Sequence, residues 1–192
     1  MNIEYFFSFP VVFSKIDRTI IENTLEKTKR LIGVENLKES YTTYHDSHRN
    51  FLGIIEDAAL LHQISTHSND FLAYLGYRSD DLIIENWLNI NPKYSSHDIH
   101  QHYGSIVSGV LYLETSEKCG DLVFYDPIKE RQQARSHFKK YETNDDGHYE
   151  STINCKPIVG NLIMFESWVS HSVDVNMSDK TRISIAFNIR KK

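Results

Sequence analysis

Residues 182–189, RISIAFNI, alternate without a break. Ile183, Ile185, Phe187 and Ile189 share one face of an extended strand, while Arg182, Ser184, Ala186 and Asn188 share the other. The apolar face has to pack against something, and helices are the natural partners. The polar face can meet solvent or line a polar cavity. This run closes a series of β-type segments: DLIIENWLNIN, SIVSGVLYLE, DLVFYD and GNLIMFES, each set off by Gly, Asp, Asn or Ser. The first half reads differently. A short aromatic and β-branched stretch over 3–13 favours a strand. Then Ile20, Ile21, Leu25 and Leu31 recur at helical spacing between Asp17, a capping residue, and Gly33, a stop. GIIEDAALLHQISTHSNDFLAYLGY reads as a second helix ending at Gly76, and YTTYHDSHRNF as loop or exposed strand. Strands that follow helices predict an α+β chain, mainly β: an antiparallel sandwich or barrel with helices packed outside.

With 192 residues, 40% of them hydrophobic, the chain suits one domain over 1–192, with helical support about 17–76 and a β-core about 81–190. The net charge of −5 carries no basic block, which argues against nucleic acid as the main partner even with Arg131, Arg135, Lys139 and Lys140 on one segment. That segment, 129–154, is long and charged, as lids and surface loops are. Cys119 and Cys155 lack CxxC spacing and read as reduced thiols. No apolar run approaches the ~20 residues of a membrane span. The start lacks a basic n-region and is interrupted by Pro10. A cytoplasmic protein without a membrane partner is expected.

The chemistry concentrates in DIHQHYGSIVSGVLYLE, residues 98–114. On a strand, side chains two apart point the same way, about 6–7 Å from one another, so His100 and His102 can reach one metal ion. His171, after a strand in FESWVSHSVDVN, is the best third ligand. With 10 histidines in the chain, an H-x-H pair alone is weak. Imidazole suits zinc, copper, iron and nickel. Three neutral histidines leave the ion its full charge and open positions for an anionic chelator, and Arg182 can grip a carboxylate at its other end.

HQHYGSIVSGVLYLE, GDLVFYDP, PIVGNLIMFESWVSHSV and KTRISIAFNI together resemble the successive strands of a 2-oxoglutarate- and iron(II)-dependent oxygenase. They are most similar to a group common in marine bacteria and their phages. The resemblance covers residues 84–190, and the ordered set is far more specific than any one motif. It implies a double-stranded β-helix (jelly roll) with the helices on its major sheet and the metal at the open end. It implies Fe(II) on His100, His102 and His171, and 2-oxoglutarate held by Arg182, Ser184 and Tyr112. With O2, the outcome would be hydroxylase-type oxidation of a substrate coupled to decarboxylation of 2-oxoglutarate to succinate. Trp87, Asn89 and Asn91, on alternate positions before the ligand strand, are expected to line the substrate pocket. Trp168 is expected to pack in the core near His171.

The departure is at His102, which stands where the wider superfamily has a carboxylate. Asp98 shares its parity on a regular strand and is an alternative ligand. In another register, His102-Tyr103-Gly104 is an H-x-G that leaves the third position to a halide, as in halogenating relatives. A three-histidine site also suits zinc. Two other readings keep the fold: a cupin-like metal enzyme that does not use 2-oxoglutarate, and a non-catalytic binding module. Neither substrate nor oligomeric state is written in the sequence.

Overall fold

Helix α1 runs over Arg18–Ile32, and both of its ends are set by the residues that predict them. The Asp17 carboxylate accepts from the Thr19 amide, and Gly33 takes the left-handed conformation (φ 64°) that ends the helix. The computed structural model describes residues 9–33, 39–46, 49–78, 81–128 and 152–192. The expected second helix is broken in two. Helix α2 covers Phe51–Ile54 and α3 Ala58–Tyr74. Between them Glu56 adopts a positive φ of 51°, and Asp57 restarts the helix by accepting from the Leu60 amide. Asp57 also accepts from the Thr24 hydroxyl at 2.7 Å, which ties α3 to α1. A carboxylate able to cap a new helix outweighs the continuous apolar pattern on either side of it.

Among the described residues, ten strands form two antiparallel sheets. They are β1 (Val11–Lys15), β2 (Tyr41–Thr42), β3 (Leu82–Asn91), β4 (His97–His100), β5 (Val107–Glu114), β6 (Leu122–Tyr125), β7 (Thr152–Cys155), β8 (Asn161–Glu166), β9 (His171–Val173) and β10 (Arg182–Lys191). The larger sheet has the order β1-β8-β5-β10-β3-β2 and the smaller β4-β9-β6-β7. This is the jelly roll with helices on the major sheet. Of the expected first strand over 3–13, residues 3–8 lie outside the described set, and 11–13 fall in β1, which runs on to Lys15. Segment 129–154, expected as a lid or a surface loop, lies largely outside that set too, its last residues forming the start of β7.

The alternation of β10 explains the layering. Ile183, Ile185, Phe187 and Ile189 pack with Leu88, Ile90 and Leu111 against Ile21, Leu52, Leu60, Ile64 and Phe71 of the helices. Burying that face contributes about 1.5–3 kcal/mol per large apolar side chain. A second cluster, with Tyr112, Leu122, Phe124, Ile163 and Phe165, fills part of the space between the sheets. The polar face of β10 turns into the same space, so it lines a cavity and not solvent.

Candidate metal and cosubstrate site

Register builds the cavity wall as rungs. Arg182 stands opposite Asn91, Ser184 opposite Asn89 on one side and Tyr112 on the other, and Ala186 between Trp87 and Val110. Every residue of these rungs lines one cavity, together with His97, His100, His102 and His171. The cavity has a volume of about 70 Å³.

At one end the three histidines converge, their ligand nitrogens all within 4.8 Å of one another. His100 and His171 are cross-strand partners on β4 and β9, with ring centroids 4.3 Å apart. His102 arrives by a different route from the one its spacing predicts. Strand β4 stops at His100, and His102 lies beyond it in the turn that leads to β5. It is fixed there by its backbone, whose amide donates to the Ser167 carbonyl at 3.0 Å. Gln101 donates to the Trp168 carbonyl at 2.6 Å and to the Ser170 hydroxyl at 2.9 Å. Below, Ser108 bonds both Ser167 and Asn188 at 2.8 Å. The turn is thereby locked to the loop that delivers His171.

Two of the rings are oriented for metal binding. Nδ1 of His100 lies 2.7 Å from the Asp98 carbonyl, and Nδ1 of His171 lies 2.9 Å from the Val169 carbonyl. A carbonyl only accepts, so each Nδ1 carries the proton and each Nε2 keeps a free lone pair. Burial holds His171 down at about 3 and His102 down at about 4, with the neighbouring imidazoles adding to both shifts. The His171 and His102 rings are therefore neutral at pH 7, each with one nitrogen free of a proton. Phe165 meets the His171 ring edge-on at 4.7 Å and excludes water from that side. Asp98 is exposed and meets His100 only through its backbone carbonyl. It lines an outer groove with Thr42, Tyr44 and His45.

At the other end Arg182 is 2% exposed. Its Nη1 donates to the carbonyls of Cys119 and Gly120, both at 2.9 Å. Among the described residues it has no carboxylate partner within salt-bridge distance. Burial lowers its proton affinity, and the same burial, against the opposing charge of Arg182, raises that of Tyr112. Tyr112 is thus a neutral hydroxyl donor. Asn176 holds the loop before Arg182 by donating to the carbonyls of Asn91 and Lys180, each at 2.9 Å. The residues present fit a metal ion joined to a small dicarboxylate: nitrogen donors with free lone pairs at one end and a buried, uncompensated cation at the other.

One cavity residue escapes the sequence reading. His97 is three positions from His100 and of opposite parity, yet an irregularity in the pairing of β4 with β9 between His97 and His100 brings both to the cavity. Trp168 departs from expectation as well. It is 46% exposed and packs edge-on against Phe9 at 5.9 Å, outside the core.

Fold and cavity together define a double-stranded β-helix with a three-histidine cluster at one end. Residues 85–188 match the sequence profile of the family described as "Putative 2OG-Fe(II) oxygenase", and the chain belongs to that family of 2-oxoglutarate/Fe(II)-dependent oxygenases. No curated protein sequence matches it. Among solved structures it resembles a Pseudomonas putida prolyl-4-hydroxylase (16% identity, 96% of this chain and 94% of that one, TM-score 0.59). It also resembles EvdO2 from Micromonospora carbonacea var. aurantiaca, complexed with 2-oxoglutarate (13% identity, 96% and 86%, TM-score 0.62). A third is HygX from Streptomyces hygroscopicus with nickel and 2-oxoglutarate bound (13% identity, 96% and 83%, TM-score 0.61). At these identities the likeness establishes the fold. No helix among the described residues is long and apolar enough to cross a membrane.

Proposed function

We propose that His100, His102 and His171 hold Fe(II) and that Arg182, Ser184 and Tyr112 hold the distal carboxylate of 2-oxoglutarate. Iron(II) and 2-oxoglutarate, when bound, supply with O2 an oxidation of a substrate carbon coupled to decarboxylation of the cosubstrate to succinate. The residues of the chain supply position and charge. His100 and His171 present Nε2 in a fixed tautomer, and His102 completes the set from its pinned turn. These three neutral imidazoles would leave a bound ion its double positive charge and so favour an anionic chelator. Arg182, Ser184 and Tyr112 donate to the far end of that chelator. The observation that carries the reading is Arg182, a buried cation without a carboxylate partner among the described residues, in the cavity the histidines line. A cupin-type enzyme without 2-oxoglutarate has no use for it.

Trp87 and Asn89 line the cavity and also the outer groove that opens beside His100 and His102, which supports a role for both in receiving the substrate. The helices and both sheets are read as one domain over 1–192. The two free, buried cysteines support a reducing, cytoplasmic setting. The test is turnover. Iron-loaded protein should convert 2-oxoglutarate to succinate slowly without substrate, in an O2-dependent way. Absence of both turnover and 2-oxoglutarate binding in metal-loaded protein rejects the reading.

A further inference from the structure

Asn91 is the last residue of β3, 2% exposed, facing the cavity on the same rung as Arg182. Among the described residues its side-chain oxygen is buried with no hydrogen-bond partner, while its nitrogen lies a long 3.4 Å from Nε2 of His97. A buried amide oxygen in that state is expensive. Turning the amide by 180° keeps the shape and exchanges the two ends. Its oxygen then accepts from Nε2–H of His97, and its NH2 group points into the cavity. The other polar side chains on these rungs beside Arg182 also offer donors: the Ser184 and Tyr112 hydroxyls, and the Asn89 amide, whose oxygen already accepts from the Thr42 hydroxyl at 2.8 Å. Only an occupant rich in acceptor lone pairs satisfies such a set, and a carboxylate offers about four such sites.

We propose that Asn91, its amide oriented by His97, is a further donor to the distal carboxylate of the cosubstrate, which takes Asn91 out of the substrate pocket where its spacing puts it. The proposal rests on the reading that this cavity binds 2-oxoglutarate. Position along the strand decides which end Asn91 serves. The Trp87 rung is the one that meets the metal cluster, its ring 6.0 Å from that of His102. Asn91 is four residues further along β3, about 13 Å at strand rise, and faces Arg182. Asn91 contacts the ligand, and His97 is a positioning residue that acts through it.

The test compares two ligands on the Fe(II)-loaded full chain without oxygen. One is 2-oxoglutarate. The other is 2-oxopentanoate, which keeps the chelating end and has a methyl group in place of the distal carboxylate. Asn91→Leu preserves volume and removes the donor. It should weaken 2-oxoglutarate about ten- to a hundredfold and leave 2-oxopentanoate within about twofold. Asn91→Asp, near-isosteric and able to fold where the leucine variant does not, should weaken 2-oxoglutarate at least as much by setting carboxylate against carboxylate. His97→Ala should show the same ligand-selective pattern at smaller size. Unchanged 2-oxoglutarate affinity in both Asn91 variants, or equal loss of both ligands, overturns this inference alone. Failure of the wild-type protein to bind 2-oxoglutarate overturns the proposed function and this inference with it.

Discussion

Replacing Arg182 by methionine separates a ligand-binding arginine from a structural one. The guanidinium makes two 2.9 Å bonds, to the Cys119 and Gly120 carbonyls. Hydrogen bonds from a charged donor contribute about 1.5–3 kcal/mol each, so the substitution forfeits about 3–6 kcal/mol. Against this stands the cost of keeping a cation in a site that is 2% exposed, several kcal/mol when no opposite charge compensates it. Methionine has nearly the same length and carries no such cost. The metal-free, ligand-free variant should therefore have an unfolding free energy within about 2 kcal/mol of wild type. Its affinity for 2-oxoglutarate should fall by about 2–5 kcal/mol, about thirty- to several-thousandfold. Urea denaturation of the apoprotein and anaerobic calorimetric titration of the iron-loaded protein give the two numbers. An apoprotein destabilised by more than about 4 kcal/mol with 2-oxoglutarate affinity intact would refute the reasoning and make Arg182 a structural residue.

Three further outcomes follow from the geometry. Gly120 has φ +91°, and a Cβ there would sit 2.1 Å from the Asp174 carbonyl oxygen and 3.1 Å from Arg182 Nη1. Gly120→Ala should cost about 2 kcal/mol or more in urea denaturation and weaken 2-oxoglutarate through the displaced arginine; an unperturbed alanine variant contradicts this. Ser108→Ala removes a partner from both Ser167 and Asn188 and should cost about 1–3 kcal/mol. It should also lower iron affinity, because Ser167 holds the backbone of His102, and iron titration checks that link. The pH dependence has a definite sign. His171 and His102 are held near 3 and 4 in the fold against about 6.5 in the unfolded chain. The apoprotein has full stability above pH 6.5 and loses it as pH falls toward 4, because the unfolded chain takes up about two protons that the native one refuses. A urea midpoint equal at pH 7 and pH 5 would count against the buried, neutral imidazoles.

The face alternation of β10 was legible because period two is a backbone property, and it correctly separates helix-packing residues from cavity residues. The ends of α1 were legible because Asp17 and Gly33 act locally. Four other features depend on events that spacing does not encode. The break at Glu56–Asp57 depends on a tertiary bond from Thr24 to the capping carboxylate. His102 belongs to the site because the Ser167 carbonyl, far away in sequence, holds its turn, not because it shares a regular strand with His100. His97 was hidden by the irregularity that reverses its parity. The orphaned oxygen of Asn91 exists only once β3, β4 and β10 are assembled around one cavity. The imidazole at 102 was legible as a departure from the family's carboxylate, and its burial now supplies the reason it stays neutral.

The central claim is tested most directly by the visible spectrum of the anaerobic protein with one equivalent each of Fe(II) and 2-oxoglutarate. A weak metal-to-ligand charge-transfer band should appear in wild type, be lost in His100→Ala, His102→Ala and His171→Ala, and need far more 2-oxoglutarate to form in Arg182→Met. A wild-type protein that binds iron yet gives no band at saturating 2-oxoglutarate, or a band that survives loss of His171, would contradict the account.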